Sequence, residues 1–138
     1  MDDDAVRQNL IQTALAARQW AYAPYSNYAV GAALLTASGR IYDGVNVENA
    51  AYPTGMCAER VAVFKAISEG EREFAAIAVV TANGGSPCGA CRQVLSEFSR
   101  ATVVWIANEK GELVEATSVA ELLPGAFGPQ DLHLQRSG

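Results

Sequence analysis

A short apolar run near the middle of the chain constrains the fold more than any other segment. Residues 75–80 read Ala-Ala-Ile-Ala-Val-Val, and Asn83, Gly84 and Gly85 follow as a turn signal. The run has the length of a strand and is too short for a helix. Because a continuous apolar run is typical of a strand buried on both faces, we expect a central strand that other elements cover on each side.

The elements around this run indicate an α/β protein with helical layers on a mixed sheet. Apolar spacing and helix-forming residues predict helices, whereas β-branched and apolar runs between turn residues predict strands. Helices are predicted at residues 4–21, 57–69 and 119–123, and a further helix is predicted to begin at Pro87 with Ser86 as its N-cap. Strands are predicted at residues 30–36, 41–47, 75–80, 102–107 and 113–116. The first two strands predict an antiparallel hairpin, and the tail after Pro124 is expected to be irregular.

Length and charge favour one domain over residues 1–138 that does not bind nucleic acid. The chain has 138 residues, 50% of them hydrophobic, and a formal net charge of −5. That charge has the wrong sign for a surface that neutralises phosphates. The acidic start at Met1–Asp4 does not resemble a signal peptide, and no stretch reaches the roughly 20 apolar residues of a membrane span. We therefore expect a soluble cytoplasmic protein without a membrane partner.

The three cysteines indicate a metal site. Three is an odd number, and a cytosolic compartment would keep all of them reduced. Cys88 and Cys91 are three residues apart at a predicted helix start, so that their sulfurs share one face and can bind one cation with Cys57 as third ligand. Both sites lie near helix N-termini, which lower thiol pKa values.

The residues beside the cysteines indicate catalysis. Three protein ligands on zinc leave a fourth position for water, which is typical of a catalytic site. Glu59 is two residues from Cys57 and can transfer protons without ligating the metal. Arg60 can partly neutralise the thiolates, although an ordinary surface or subunit-interface salt bridge is the alternative. His133, in the irregular tail, is a poor fourth ligand.

Two other interpretations of the cysteines stay open. Cys88 and Cys91 alone could form a dithiol redox pair, since a Cys-x-x-Cys motif has little specificity. His133 could instead close a structural zinc site, which would make the chain a binding module without catalysis. Neither alternative uses Glu59.

The chain resembles the small homotetrameric cytidine deaminases. Cys-Ala-Glu at Cys57–Glu59 and Pro-Cys-x-x-Cys at Pro87–Cys91 match the three-cysteine form of the zinc deaminase signature. Residues 25–35, 46–60, 86–93 and 122–128 extend the resemblance in order over most of the chain. It implies a three-layer α/β/α fold around a mixed five-stranded sheet, and one Zn²⁺ per chain.

The resemblance also implies a reaction. The family's zinc ligands match Cys57, Cys88 and Cys91, and its proton shuttle matches Glu59. By this resemblance, zinc-activated hydroxide attacks C4 of free cytidine or deoxycytidine, ammonia leaves and the uracil nucleoside remains, a reaction of pyrimidine salvage. Deamination of a modified cytosine nucleoside such as blasticidin S is the nearest rival, and editing within a polynucleotide is disfavoured by the acidic charge.

Further residues match the family's nucleoside-binding positions. Asn46 and Glu48 correspond to residues that hydrogen-bond the ribose 3′-hydroxyl, and Ala58 belongs to the matched motif. Tyr28 aligns with the base-stacking aromatic, although the usual Phe-Pro-Val-Gly is Tyr-Ala-Val-Gly here. Phe127 matches an aromatic contributed by a neighbouring subunit. Without the resemblance, Asn46 and Glu48 would be solvent-facing strand residues, and the two aromatics, like Trp20 and Trp105, would be packing residues.

Overall fold

A mixed five-stranded sheet forms the centre of the structure, a computed structural model that describes residues 3–132. The elements are α1 (Asp3–Arg18), β1 (Gly31–Thr36), β2 (Ile41–Val45), α2 (Ala58–Ser68), β3 (Phe74–Val80), α3 (Gly89–Phe98), β4 (Val103–Ala107), β5 (Leu113–Ser118) and α4 (Val119–Leu122), with short 3₁₀ helices at Tyr52–Thr54 and Pro129–Leu132. The sheet order is β2-β1-β3-β4-β5, with β3 and β4 parallel and the other neighbours antiparallel. The predicted hairpin and mixed sheet are confirmed.

Helices cover both faces of the sheet, so that the predicted three-layer α/β/α arrangement is confirmed. On one face, α1 packs Leu10 and Ala14 against alanines of the sheet and Trp105. On the other face, α2, α3 and α4 pack against Ile77 and Val79. All residues of β3 except Ala75 are buried. A central strand with helices on each side has no solvent-facing side, which explains its uninterrupted apolar sequence.

The first helix is shorter than predicted. It ends at Arg18, and residues 19–21 form a tighter turn in which the Trp20 amide donates to the Ala17 carbonyl. Tyr22 then pairs with the segment after β2, since its amide donates to the Asn46 carbonyl. The Trp20 side chain is 76% exposed, so its assignment as a packing residue was wrong for this chain, whereas Trp105 is buried as expected.

The third helix begins two residues later than the sequence predicted. Its first residue is Gly89 and its N-cap is Cys88, so the assignment of Ser86 as N-cap and Pro87 as first residue was wrong. Arg92 on the first turn explains the difference. Its guanidinium donates to the Ser86 hydroxyl at 2.9 Å and to the Pro87 carbonyl at 2.8 Å. These bonds hold the two residues in a loop outside the helix.

Two glycines allow the helices to approach the sheet closely. A Cβ at Gly44 of β2 would overlap the Ala58 carbonyl and lie 2.6 Å from the Ala62 amide nitrogen, both in α2. A Cβ at Gly31 of β1 would overlap the Ala14 carbonyl of α1 on the opposite face. Each position therefore needs a residue without a side chain.

Candidate active site

The starts of α2 and α3 bring the three cysteines together. Cys57 is the N-cap of α2, Cys88 is the N-cap of α3, and Cys91 lies in the first turn of α3. The Sγ atoms of Cys57 and Cys88 are 3.8 Å apart, and those of Cys88 and Cys91 are 3.5 Å apart. All three sulfurs lie within 4.8 Å of one another. The predicted convergence of these thiols is therefore present.

The spacing of the sulfurs fits a tetrahedral zinc ion. A Zn–S bond of about 2.3 Å in tetrahedral geometry places two sulfurs about 3.8 Å apart. The two measured distances lie close to that value. Among the described residues, the metal-binding cluster consists of these three side chains, and three ligands leave one position for another group. His133, the proposed closing ligand of a structural site, lies outside the described residues.

Cys57 and Cys91 differ in how readily their thiols ionise. A hydrogen bond from Cys91, together with one from Arg60, lowers the pKa of the Cys57 thiol to about 5. The Nη2 atom of Arg60 lies 3.3 Å from the Cys57 Sγ. The contact with Cys57 and burial raise the pKa of the Cys91 thiol. Cys57 thus ionises more readily than Cys91, and the arginine next to Glu59 in sequence contacts it directly.

Glu59 is a buried carboxyl group beside the cysteines. It lies in the first turn of α2, and only 5% of the residue is exposed. Burial, and to a lesser extent the negative charge of Cys57, raises the pKa of Glu59 to about 7. Near neutral pH such a group can both accept and donate a proton. The start of this helix therefore places a thiol of the cysteine cluster and a buried titratable carboxyl group two residues apart.

A cavity of about 690 Å³ opens over this cluster. Its lining includes Cys57, Ala58, Glu59 and Cys88, which form the floor. The walls come from residues 25–30, from the segment after β2 and from residues 81–86. The volume is in the usual range for small-molecule sites. Cys57, Cys88 and the buried carboxyl group of Glu59 thus line a space large enough for a small organic molecule.

Asn46 and Glu48 line the cavity and hold its wall. The Asn46 side chain accepts from the Val30 amide at 2.9 Å and donates to the Tyr28 carbonyl at 2.8 Å. Glu48 accepts from the Tyr25 amide at 3.0 Å, and the Ser26 hydroxyl also donates to it. The Ser26 hydrogen bond is the main cause of the lowered pKa of Glu48. Both side chains organise the loop before β1 rather than projecting freely into solvent.

The two predicted aromatics occupy different places. Tyr28 lines the cavity, and its hydroxyl donates to the Asn83 side-chain oxygen at 2.7 Å. Phe127 is 58% exposed and is not part of the cavity wall of its own chain. Its carbonyl accepts from the Gln93 side chain on α3 at 2.9 Å. Neither aromatic is a core residue.

Sequence reasoning missed Arg92 and Asn83. Arg92 joins the loop before Cys88 to the end of α4, because it also donates to the Leu122 carbonyl at 2.8 Å. Its place four residues after Cys88 on a helix could have indicated contact with that loop. Asn83 was interpreted only as a turn residue. Nothing in the sequence indicates its contact with Tyr28, 55 positions away.

Known proteins match this chain over most of its length. A family model described as the cytidine and deoxycytidylate deaminase zinc-binding region matches residues 4–107. A cytidine deaminase from Sporosarcina psychrophila is 53% identical over 128 residues, which cover 91% of this chain and 93% of that protein. One from Halalkalibacterium halodurans is 52% identical over 130 residues, covering 92% and 98%.

Solved structures show the same architecture. The crystal structure of cytidine deaminase from Burkholderia pseudomallei superposes with a TM-score of 0.83 at 50% identity, covering 92% of this chain and 100% of that one. The enzyme from Mycobacterium tuberculosis gives a TM-score of 0.78 at 37% identity, covering 93% and 99%. The matched family region contains all three cysteines and Glu59. By sequence and by fold, this chain belongs to the cytidine and deoxycytidylate deaminase family.

Proposed function

We propose that this protein hydrolyses the exocyclic amine of free cytidine and deoxycytidine, giving uridine and deoxyuridine with release of ammonia. The observation that carries the proposal is the convergence of three thiols beside a buried carboxyl group, with Cys57, Cys88 and Glu59 of this group lining one cavity. The names of the relatives support the cytosine nucleoside as substrate. A redox pair would require neither Cys57 nor Glu59 at this place.

Cys57, Cys88 and Cys91 would hold one Zn²⁺, which would supply activated water for hydrolysis. Glu59 moves the protons. Its carboxylate takes a proton from the attacking water and delivers it to N3 of the pyrimidine. It then takes the proton of the new hydroxyl group on C4 and delivers it to the amine, which leaves as ammonia. A group whose pKa lies near 7 is suited to both transfers at neutral pH. Arg60 offsets part of the negative charge of the thiolates through its contact with Cys57.

The wall residues have hydrogen-bonding capacity left for a nucleoside. Asn46 uses one N–H for the Tyr28 carbonyl and retains the other, and the carboxylate of Glu48 has free lone pairs. A ribose 3′-hydroxyl can donate to Glu48 and accept from Asn46. Because neither contact needs a 2′-hydroxyl, both sugars fit. Tyr28 would stack on the base, and the first-turn amide of Ala58 can bond its carbonyl oxygen.

The assembly that we propose is a homotetramer. Phe127 is exposed and lies outside the cavity of its own chain, as expected of a residue that completes a neighbouring cavity. The exposed Tyr52 on the cavity rim offers apolar surface for a second copy. Each site would then be complete only in the oligomer.

We also propose a single deaminase domain over residues 1–138 that acts in cytoplasmic pyrimidine salvage. The net charge of −5 argues against a polynucleotide substrate. Within residues 3–132, no helix combines the length and apolar character that a membrane span requires. Free nucleosides are the substrate class that this charge and this cavity favour.

The test compares ammonia release from cytidine by the parent protein and by Glu59→Gln. The amide keeps the size of the side chain but cannot transfer the protons, so we expect kcat to fall at least about 100-fold. Both proteins should retain about one zinc per chain. Glu69→Gln is the matched control, because this exposed carboxylate contacts Arg40 and the Tyr42 hydroxyl, neither of which lines the cavity, and it should keep parental activity.

Three outcomes would overturn parts of the proposal. Substantial activity of Glu59→Gln would remove this residue from the mechanism. Release of ammonia from a modified cytosine nucleoside but not from cytidine would favour the rival substrate. Tight binding of single-stranded DNA at moderate salt, with deamination of that DNA, would restore the polynucleotide alternative.

A further inference from the structure

The hydroxyl group of Tyr28 joins two walls of the cavity. Tyr28 precedes β1, and its hydroxyl donates to the side-chain oxygen of Asn83 in the loop after β3, at 2.7 Å. That loop runs on to Cys88 at the start of α3. One hydrogen bond therefore connects the aromatic wall to the segment that carries a zinc ligand.

The loop after β3 is ordered around the same point. The Thr81 hydroxyl accepts from the Gly85 amide at 2.8 Å and lies 3.5 Å from the Asn83 oxygen that Tyr28 contacts. Thr81 is buried, and it lines the cavity with Gly85 and Tyr28. These residues form one small network, in which the hydroxyl of Tyr28 is the link to the opposite wall.

Gly85 shows how closely the ring and the loop fit. A Cβ at this position would overlap the Tyr28 hydroxyl oxygen, whereas the next nearest atom, the Cζ of the same ring, is 3.6 Å away. Gly85 is not among the glycines with positive φ. Its backbone therefore suits alanine, and the Tyr28 hydroxyl is what excludes a side chain here.

The link has a further reason in the local sequence. Tyr28 is followed by Ala29, just before β1. A proline fixes its backbone φ, whereas an alanine leaves it free. A hydrogen bond from the ring to Asn83 restricts the same segment by a different contact, and it also fixes the plane of the ring.

We propose that Tyr28 is a positioning residue whose hydroxyl, through Asn83, sets the ring and the 81–86 loop in the arrangement that receives the substrate. The inference rests on the proposed function, since it assigns the cavity to a nucleoside. Pre-ordering a wall lowers the entropy lost when a ligand binds. The hydroxyl therefore acts on KM more than on kcat.

The primary test is a double-mutant cycle with Tyr28→Phe and Asn83→Ala, assayed on cytidine. Each single variant should raise KM about three- to tenfold, the range for one hydrogen bond, and lower kcat by less than about threefold. The double variant should be no worse than the poorer single variant, because both changes remove the same bond. Tyr42→Phe is the matched control, since its hydroxyl contacts Glu69 away from the cavity, and its KM should stay parental.

Gly85→Ala supplies an independent test. The added methyl group should displace the Tyr28 hydroxyl and raise KM in the parent, but it should have little further effect in Tyr28→Phe, where the overlapping atom is absent. A general structural defect would not be relieved in this way. Three results would overturn the proposal. The first is a parental KM in Tyr28→Phe, and the second is additive effects of Tyr28→Phe and Asn83→Ala on KM. The third is an equal rise in KM when Gly85→Ala is introduced into the parent and into Tyr28→Phe.

Failure of the proposed function would be recognised separately. In that case the parent itself would release no ammonia from cytidine. The free energies of unfolding of the same four proteins, measured in urea, would then test the hydrogen bond between Tyr28 and Asn83. Coupling between Tyr28→Phe and Asn83→Ala would support it, and strictly additive losses of stability would refute it.

Discussion

Gly44 lies against the start of α2 with no space for a side chain, and Gly44→Ala should therefore displace the helix that carries Cys57 and Glu59. A Cβ there would be 2.6 Å from the Ala62 nitrogen, whereas ordinary contacts begin at 3.4 Å. The opposing atoms belong to the helix backbone and cannot rotate away. The first turn of α2 must move by at least about 0.8 Å, since the overlap with Ala58 is closer still.

The displacement of α2 determines how much stability and activity Gly44→Ala should lose. Overpacking against backbone costs about 3 kcal/mol, and the lower chain entropy of alanine in the unfolded state returns up to about 1 kcal/mol. A net loss of about 2 kcal/mol in the free energy of unfolding corresponds to a fall of about 1 M in the urea midpoint. Misplacement of catalytic groups by nearly 1 Å lowers kcat about 100-fold.

Gly31→Ala is the matched control for Gly44→Ala. Its Cβ would overlap the backbone of α1, on the face of the sheet away from the cysteines. We expect a similar loss of stability by urea unfolding, but zinc retention against a chelator and kcat per zinc-loaded chain should stay close to parental values. If Gly44→Ala kept both zinc and kcat, or if the two variants lost them equally, the dependence of the site on the seating of α2 would be refuted.

Two further predictions concern the segments that flank the zinc ligands. Arg92→Ala should speed the loss of zinc to a chelator, because it frees the loop before Cys88, whereas Arg100→Ala removes a bond only to the Leu123 carbonyl and should not. Equal rates for the two variants would contradict the role of Arg92. Phe127→Ala should raise KM for cytidine without changing zinc content. A parental KM, in a variant whose oligomeric state by sedimentation equals that of the parent, would exclude this aromatic from a neighbouring cavity.

The central strand and the metal site were accessible from sequence because short-range patterns determine them. Burial on both faces leaves a continuous apolar run, which predicted β3 almost to the residue. Three thiols at fixed spacings beside Glu59 predicted the convergence that the structure shows. The helix bounded by Cys57 was likewise predicted within one residue at each end. In each case the information lies in neighbouring positions of the chain.

What sequence reasoning missed depends on contacts between distant segments. Ser86 and Pro87 have the residue types of a helix start, but the guanidinium of Arg92 binds both outside the helix. The bond between Tyr28 and Asn83 likewise requires β1 and β3 to be paired before their flanking loops can meet. The helix and strand propensities of neighbouring residues carry no information on contacts between distant segments, and here such contacts override those propensities.

The N-caps of α2 and α3 are cysteines, and neither sulfur bonds to an amide of its own helix. A serine or aspartate at either place would satisfy one such amide and stabilise the helix by about 1 kcal/mol. Both helices therefore lack the stabilisation that an N-cap side chain would give, and both N-cap residues belong to the cysteine cluster that fits one ion. One ion held by both cysteines would therefore tie the first turns of α2 and α3 together, and its removal should loosen both helix ends at once.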